Sequence, residues 1–433
     1  MHVPLDVQPV HAFSPGSSAF GGLAHEPVVV PASAFSELLP ELQAAMVMRP
    51  TLARKTFPPI FMSDGNIVEE RSRMASPSVS FSDQVKAFAQ SLGFDAVAIA
   101  RAGPGITIDR DFARYEAFLS DGMHGEMDWL ARSVVARSRL DGDEILAGAR
   151  SVVCVARRYP GDAENGDASR TIARYARGRD YHRFLRRRVR RLAAFVRSLG
   201  TPDAPVEARP LIDDKPVLER AWAARSGLGF IGKNGMLIVP GLGSLVLLAE
   251  VVTTLDLVEE GTPMSERCGT CTRCLDACPT RAFPRPFVLD ARRCVSYLTI
   301  EHPGPIAPEL REGVGEHLFG CDDCQTVCPF NAGAGARAAV TASDGDPFAP
   351  LARWSTLRLQ DLLAHDRAAS DAATEGSPLR RAGRARLARN AALVLGNRGQ
   401  AEALPALEHA ATDHDDPVVR EAAAWAIERI HSA

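Results

Sequence analysis

The sequence predicts an α+β protein: a mixed helix–strand domain, then a compact cysteine-rich domain, then a C-terminal helical repeat. Three observations predict this arrangement. Apolar strand-like runs alternate with amphipathic helical patterns over residues 77–262. Eight of the nine cysteines then fall between Cys268 and Cys328. Short helical patterns rich in small apolar residues fill residues 377–433.

Composition excludes several classes of protein. Hydrophobic residues make up 46% and charged residues 24% of the 433 residues, which is typical of a globular chain and not of a disordered or collagen-like one. The formal net charge is only −3, so a polyanion would have to bind a local basic surface. No apolar run reaches the ~18 residues of a membrane span, and residues 1–20 lack the pattern of a secretory signal. We therefore expect a cytoplasmic protein with no membrane anchor, and a monomer.

Residues 1–76 are rich in Pro, Ala and Ser and have no clear period. We interpret them as a poorly ordered extension or as an over-called start. The domain over residues 77–262 then begins with a helix that Ser82 can cap and Gly93 can end. Strands are predicted at residues 96–100, 151–156, 206–212, 236–239 and 245–252, with helices between them. Cys154 lies in one of these strands, where burial as an apolar residue is the simpler interpretation.

The cysteine spacing in residues 263–335 is typical of bacterial ferredoxins. Cys268-x2-Cys271-x2-Cys274-x3-Cys278-Pro places three thiolates on one loop and a fourth where it ligates a second cluster. A second set has the same spacing at Cys321-x2-Cys324-x3-Cys328-Pro, but its first cysteine, Cys294, lies further upstream. Two 4Fe–4S clusters are therefore predicted, one held by Cys268, Cys271, Cys274 and Cys328, the other by Cys278, Cys294, Cys321 and Cys324. Two zinc sites are the alternative, although zinc ribbons separate their cysteine pairs by a longer loop.

A glycine motif in the first domain does not predict dinucleotide binding. Gly227, Gly229 and Gly232 match G-x-G-x-x-G, but a helical stretch precedes them and an extended, proline-containing stretch follows. This is the reverse of the strand–turn–helix order that such a site needs. We instead expect these glycines to let the backbone approach another bulky ligand.

Arginine is concentrated in one segment. Residues 174–197 contain ten arginines and a single acid, Asp180, and are predicted to be helical after it. A solvated helix face is the simpler interpretation, but this density in a net acidic protein favours a phosphate-binding face. A second group on the first C-terminal helix supports binding of a folded RNA by shape and backbone. This second group is Arg380, Arg381, Arg384, Arg386 and Arg389.

Residues 336–376 are interpreted as a connector. Ser377 and Pro378 then cap and begin the first of three short helices. The sequence pattern of this tail resembles a HEAT repeat. About one and a half repeats are too few to fold alone. We therefore expect residues 377–433 to pack on the preceding domain.

Two adjacent aspartates are candidates for acid chemistry. Asp213 and Asp214 precede a helix that is predicted from Val217 onward. Carboxylates at such positions are usually caps or surface groups. In an apolar pocket covered by a ligand, however, the pKa of one of them would rise and it would donate a proton. His182 is an alternative donor, and the residues alone leave the choice open.

Taken together, these segments resemble the epoxyqueuosine reductase family of tRNA-modifying enzymes. The resemblance runs from about residue 80 to the C-terminus. It rests on RYARGRDYH at 174–182, D-x-x-P-V-L-E-R at 213–220, SGLGFIGKN at 226–234, the spaced cysteines and the HEAT-like tail. It implies reduction of epoxyqueuosine to queuosine at the wobble position of tRNA, with electrons passing from the two clusters to a bound cobalamin.

The resemblance also implies site residues and partners. Asp213 matches the family's proton donor. By motif position, cobalamin contacts are expected at Arg139, Ala176, Asp213, Lys233, Asn234, Ile238 and Ser244. The expected partners are the anticodon stem-loop of tRNA and an external electron donor. The alternatives are a cobalamin-dependent reductive dehalogenase, which usually carries a twin-arginine signal, and a non-catalytic ferredoxin-type electron-transfer protein, which would hold iron but no cobalamin.

Overall fold

The computed structural model describes residues 79–159, 166–259, 261–332 and 346–432. The proposed extension over residues 1–76 lies outside these ranges. The strands are β1 (Ala96–Arg101), β2 (Ser151–Arg158), β3 (Ala208–Leu211), β4 (Phe230–Ile231), β5 (Leu237–Ile238) and β6 (Val246–Thr253). The helices of the first domain are α1 (Phe81–Ser91), α2 (Asp109–Ser120), α3 (Val134–Ser138), α4 (Gly166–Arg170), α5 (Tyr181–Ser198) and α6 (Glu219–Arg225).

Helices continue through the rest of the chain. The cysteine-rich domain contains α7 (Arg273–Asp276), α8 (Val295–Ile300), α9 (Pro308–Val314), α10 (Asp323–Thr326) and α11 (Pro329–Ala332). The C-terminal part contains α12 (Asp361–Ala364), α13 (Arg367–Thr374), α14 (Gly383–Asn397), α15 (Leu404–Asp413) and α16 (Pro417–His431). No helix in the described ranges is long and apolar enough to cross a membrane.

The first domain is built on a four-stranded sheet in the order β1-β2-β6-β3. Each neighbouring pair is antiparallel, so the predicted helix–strand alternation produces an α+β sandwich and not a parallel sheet. Helices α1 and α5 cover one face, and α6, with the fully buried Trp222, covers the other. The central strand β2 is therefore apolar on both faces, which explains its continuous hydrophobic run.

The first helix has a different cap from the one predicted. Ser80, and not Ser82, caps α1, because its hydroxyl accepts a hydrogen bond from the Asp83 N–H at 3.1 Å. Ser82 is buried, and its hydroxyl accepts a hydrogen bond from the Val258 N–H at 2.9 Å. Two serines spaced two residues apart have the same local capping ability. Only the tertiary contact distinguishes them.

The glycine motif follows helix α6, and an extended stretch follows the motif, both as predicted. The two together form a short hairpin that was not predicted. Strand β4 pairs with β5 so that Phe230 lies opposite Ile238. A Cβ atom on Gly229 would collide with the Ile238 carbonyl oxygen, and one on Gly232 would lie 2.7 Å from the Ile238 Cδ1. These glycines thus permit close packing within the hairpin. The expectation that they let the backbone approach a bulky ligand stays a prediction.

The second half of the predicted connector, residues 336–376, is folded. It contains a 3₁₀ turn (Ala352–Ser355) followed by α12 and α13. Trp354 is fully buried, and its Nε1–H donates to the Arg177 carbonyl at 2.6 Å. Leu362 and Leu363 lie in the same core as the C-terminal helices. This segment therefore joins the first domain to the tail, and describing it as a connector was wrong for residues 352–374.

The tail packs on the cysteine-rich domain, as predicted, but its first helix starts later. Ser377 caps a 3₁₀ turn (Pro378–Arg381), and α14 begins at Gly383, whose φ is +74°. The Asn390 side-chain amide donates to the carbonyls of Thr299 at 2.9 Å and Leu318 at 2.8 Å. Both carbonyls belong to the cysteine-rich domain.

The second arginine group is used mainly for folding. Arg389 is 1% exposed, and its guanidinium donates to the carbonyls of His302 at 2.9 Å and Gly304 at 2.6 Å. Arg386 donates to the Glu301 carbonyl at 2.6 Å. Arg384 forms an ion pair with Asp415, and Arg381 forms one with Glu301 at 3.0 Å. The prediction that these residues form a phosphate-binding surface was wrong for Arg389, whose side chain is buried. For the other four it stays a prediction.

Candidate active site and metal centres

The turn after β3 separates the two candidate aspartates. Asp213 has a left-handed backbone with φ of +47°, and its N–H donates to the Glu219 Oε1 at 2.7 Å. The Asp214 carboxylate turns back and accepts a hydrogen bond from the Ile212 N–H at 3.1 Å. It also lies 3.6 Å from the Arg186 Nη2. The Asp214 carboxylate thus forms its hydrogen bond within the loop, whereas Asp213 faces the start of α5.

The Asp213 carboxylate meets two side chains at the start of α5. The Tyr181 hydroxyl donates to the Asp213 Oδ2 at 2.9 Å, and the His182 Nε2 lies 3.7 Å from the same oxygen, at ion-pair distance. The other ring nitrogen of His182 lies 2.8 Å from the Asp180 Oδ1. Asp180 is the N-cap of α5 and also accepts the His182 N–H. The cap therefore orients the imidazole that reaches Asp213.

These contacts determine where the proton lies. The hydrogen bond to Asp180 and the contact with Asp213 raise the pKa of His182 to about 9. Burial by itself would raise the pKa of Asp213, but its contacts with His182 and Tyr181 outweigh this and lower it. At neutral pH the imidazole is protonated and the carboxylate is ionised. The pKa of Asp213 is thus lowered by its protein neighbours. The raised pKa expected for a donor aspartate under a ligand stays a prediction.

The cysteines of the second domain gather in two groups. Burial raises the pKa of Cys274, and the thiols of Cys268, Cys328 and Cys271 raise it further because they lie close by. These four thiols form the first group. Short helix α7 carries Cys274, and the loop before it carries Cys268 and Cys271.

The second group contains the other four cysteines. Burial raises the pKa of Cys324, and the nearby Cys294 thiol is the next largest cause. The Cys294 thiol also raises the pKa of Cys321, and the Cys278 thiol raises the pKa of Cys294. The Cys278 Sγ also accepts a hydrogen bond from the Ala282 N–H at 3.2 Å. Cys274 of the first group also raises the pKa of Cys324, so the two groups lie next to each other.

The loop after β4 connects the first domain to both cysteine groups. The Lys233 Nζ donates to the Cys271 carbonyl at 3.1 Å and also to the Gly269 carbonyl. The Asn234 Nδ2 donates to the Cys324 carbonyl at 3.4 Å. Lys233, Asn234 and Ile238 line one recess together with the first cysteine group.

The remaining predicted contacts are more scattered. Ser244 is buried, and its hydroxyl donates to the Gln325 Oε1 at 3.0 Å, beside Cys324. Ala176 is a fully buried core residue that follows Tyr175 in a 3₁₀ turn (Arg174–Ala176). Arg139 is half exposed and bonds to Asp141 at 2.7 and 3.0 Å. In the described ranges, no hydrogen bond joins Arg139 to the other predicted contacts.

Family models match three separate parts of the chain. Residues 139–214 match "Epoxyqueuosine reductase QueG, DUF1730". Residues 267–331 match a 4Fe–4S double cluster binding domain, and residues 378–433 match HEAT repeats. These matches cover the turn of Asp213, both cysteine groups and the tail.

Curated relatives match along most of their length. The epoxyqueuosine reductase of Xanthomonas campestris is 40% identical over 352 residues, which cover 79% of this chain and 94% of the relative. The chain belongs to the epoxyqueuosine reductase family. The Escherichia coli epoxyqueuosine reductase is 36% identical over 351 residues, covering 79% of this chain and 88% of that protein.

Solved epoxyqueuosine reductase structures share the fold. A Bacillus subtilis structure is 31% identical with a TM-score of 0.70 and covers 80% of this chain and 90% of that one; its catalytic loop is swung out of the active site. A second structure contains an epoxyqueuosine-modified tRNA-Tyr stem-loop. It is also 31% identical, with a TM-score of 0.68, and covers 80% of this chain and 89% of that one.

Proposed function

We propose that this epoxyqueuosine reductase family member reduces epoxyqueuosine to queuosine at the wobble position of tRNA. The observation that carries the proposal is the contact of Lys233 and Asn234 with the loops of both cysteine groups. It connects the domain that holds Asp213 to the domain that can deliver electrons. Removing the epoxide oxygen as water takes two electrons and two protons, and the two domains together can supply both.

We assign one 4Fe–4S cluster to each cysteine group. Cys268, Cys271, Cys274 and Cys328 hold the first cluster, and Cys278, Cys294, Cys321 and Cys324 hold the second. The mutual proximity of the thiols within each group supports this assignment. Each site offers the four thiolates that a cubane cluster needs. Such clusters pass electrons singly, so an external one-electron donor must load them.

The family's cobalamin would bind where the two domains meet. Lys233 carries three donors and the Asn234 amide two, so each has hydrogen-bonding capacity beyond its contacts with the cysteine loops. The adjacent Ile238 offers an apolar wall, and this donor set fits a macrocycle with a polar rim. Cobalamin supplies, when bound, a cobalt centre that accepts electrons one at a time. Arg139, Ala176, Asp213 and Ser244 are the other proposed contacts.

The protein supplies protons through Asp213. The His182 imidazolium lies 3.7 Å from the Asp213 Oδ2, and the Tyr181 hydroxyl fixes that oxygen. We infer that Asp213, ionised between turnovers, relays the His182 proton to the substrate. The carboxylate takes this proton only as the substrate oxygen takes one from it, and the imidazole is then reprotonated from solvent. Two passes provide the two protons that leave with the epoxide oxygen as water.

Turnover should therefore fall as the pH rises through about 9, because His182 then loses the proton that Asp213 relays. Below this pH the imidazole stays charged. The measurement is kcat against pH for the wild type and for His182→Gln. The variant should be slower, and its kcat should no longer fall near pH 9. If kcat of the variant fell near pH 9 as it does in the wild type, His182 would be excluded as the proton source.

The exposed face of α5 is a surface for tRNA phosphates. Arg183, Arg187, Arg190 and Arg191 are exposed and donate no hydrogen bond to any described residue. They begin one residue after His182, so the basic face leads away from Asp213. The solved relative with a tRNA stem-loop supports RNA as the partner. We propose that this surface holds the anticodon stem-loop while the modified base enters the site, in the cytoplasm, where tRNA is modified.

Replacing Arg187 and Arg190 together by alanine should weaken stem-loop binding. Each lost phosphate contact lowers the slope of log affinity against log salt by about 0.7 to 0.9, so the double variant should lose about 1.5. Fluorescence anisotropy over a KCl series measures the slope. The matched control replaces Arg110 and Arg358, whose side chains are 72% and 67% exposed, and should leave the slope unchanged. Equal slopes in both variants would contradict the proposed surface.

The direct test is mass spectrometry of nucleosides from epoxyqueuosine-containing tRNA. The tRNA is incubated anaerobically with the reconstituted protein and a reductant, with and without cobalamin. Queuosine should form only with cobalamin. Absence of queuosine, with protein shown to hold about eight irons and bound cobalamin, would overturn the proposed function.

A further inference from the structure

A buried carboxyl group lies in the centre of the sheet, near Asp213. Glu250 is 0% exposed on β6, opposite Cys154 of β2 on one side and Leu211 of β3 on the other. Neither carboxyl oxygen accepts a hydrogen bond from any residue in the described ranges. A charged carboxylate in such a place is strongly disfavoured, and burial raises the pKa of Glu250 well above its ordinary value. Glu250 is therefore a neutral acid whose proton needs an acceptor.

The acceptor available to it is Glu219, at the start of α6. Residues paired directly across antiparallel strands point to the same face of the sheet, and the partners of Glu250, Cys154 and Leu211, belong to the core that α6 covers. Glu250 therefore faces the helix that begins at Glu219, and the Glu219 carboxyl group is among the causes that raise the pKa of Glu250. Burial and the charge of Asp213 raise the pKa of Glu219 to about 7. A protonated carboxyl donates to an ionised one, so one shared proton satisfies both groups.

The same Glu219 carboxylate also holds the catalytic turn. Its Oε1 accepts the Asp213 N–H at 2.7 Å. Asp213 has φ of +47°, a conformation that is unfavourable for a residue with a Cβ atom. The hydrogen bond therefore stabilises a strained turn, and this turn presents the Asp213 carboxylate to Tyr181 and His182.

We propose that Glu219 and Glu250 form a proton-sharing pair that positions Asp213. One proton lies between the two carboxyl groups, with Glu250 as the hydrogen-bond donor. Glu219 accepts it with one oxygen, while its Oε1 accepts the Asp213 N–H. Both are positioning residues, since they act through Asp213. The inference rests on the proposed role of Asp213 as proton donor.

Hydrogen exchange of the Asp213 amide tests this pair without relying on turnover. In the full-length protein loaded with both cofactors, Glu219→Leu removes the acceptor, so this amide should exchange about ten- to a hundred-fold faster. Glu219→Gln keeps a carbonyl acceptor and should stay within about three-fold of the wild type. Glu250→Leu should speed exchange, whereas Glu250→Gln, whose amide still donates to Glu219, should restore protection. Glu116→Leu, on an exposed face of α2, is the matched control.

Turnover then separates positioning from general damage. Glu219→Leu should lower kcat about ten-fold with an unchanged KM for the stem-loop, and Glu219→Gln should rescue it. Unchanged exchange of the Asp213 amide in Glu219→Leu and Glu250→Leu would overturn the inference even if turnover fell. If Glu219→Leu does not fold, Glu219→Asp replaces it, and wild-type exchange in that shortened variant counts against the pair. Normal turnover in Asp213→Asn would instead refute the donor role and leave the exchange result standing.

Discussion

Replacing Asp213 by asparagine should slow queuosine formation by about 100- to 10,000-fold, the usual contribution of a positioned acid. The amide keeps the size of the side chain and still accepts a hydrogen bond from Tyr181, but it cannot pass on a proton from His182. Iron content and stem-loop affinity should not change. Single-turnover conversion of epoxyqueuosine-containing tRNA, followed by mass spectrometry of the nucleosides, measures the loss.

Asp214→Asn is the matched control for this prediction. Asp214 is the adjacent residue with the same side chain, but its carboxylate bonds to the Ile212 N–H within the loop and lies near Arg186. We expect its turnover to stay within about three-fold of the wild type, as for most substitutions away from the reacting atoms. If Asp214→Asn were the slow variant and Asp213→Asn the normal one, the assignment would have to be reversed.

Loss of a single cysteine should remove one whole cluster and abolish turnover. Cys278→Ala is the most informative variant. Cys278 follows Cys274 in the chain, but its thiol lies near Cys294 of the second group, whose pKa it raises. Iron should fall from about eight to about four per chain, and the remaining cluster should be the one that also remains in Cys324→Ala. Cys271→Ala should leave the other cluster. Iron analysis with electron paramagnetic resonance distinguishes the two losses.

Cys154→Ala is the control for the cysteine series. This ninth cysteine lies buried in β2, opposite Glu250, and it is outside both groups. Its replacement should leave the iron content at about eight. The proposed assignment fails if Cys278→Ala and Cys271→Ala leave the same cluster.

The parts of the site that local spacing encodes were predictable. Three cysteines at every third position and a fourth before proline specify a loop that surrounds a cluster, whatever the rest of the fold does. The amphipathic pattern of α5 likewise predicts an apolar face of Phe184, Leu185, Val189, Leu192 and Val196, and all of these except Phe184 are buried. In each case the information lies within one segment of the chain.

Contacts between distant segments were not predictable in the same way. The role of Glu250 depends on its register beside β2 and β3, and on the position of Glu219 on a helix that covers that face. Arg389 looks like Arg380 and Arg381 in the sequence, and these two are exposed, yet Arg389 is buried because α14 packs on the cysteine-rich domain. One arginine-rich segment therefore contains two different kinds of arginine that composition cannot separate.

Asn390 lies on a late-synthesised helix and holds the backbone near an earlier-synthesised metal site. Its amide holds the carbonyls of Thr299, five residues after Cys294, and Leu318, three residues before Cys321. A nascent chain emerges from its N-terminus, so both ligand loops leave the ribosome before the helix that fixes them. We therefore expect the backbone on both sides of the second metal site to be fixed only once α14 has docked. A chain interrupted before α14 should hold the four thiols of this site in a less ordered arrangement.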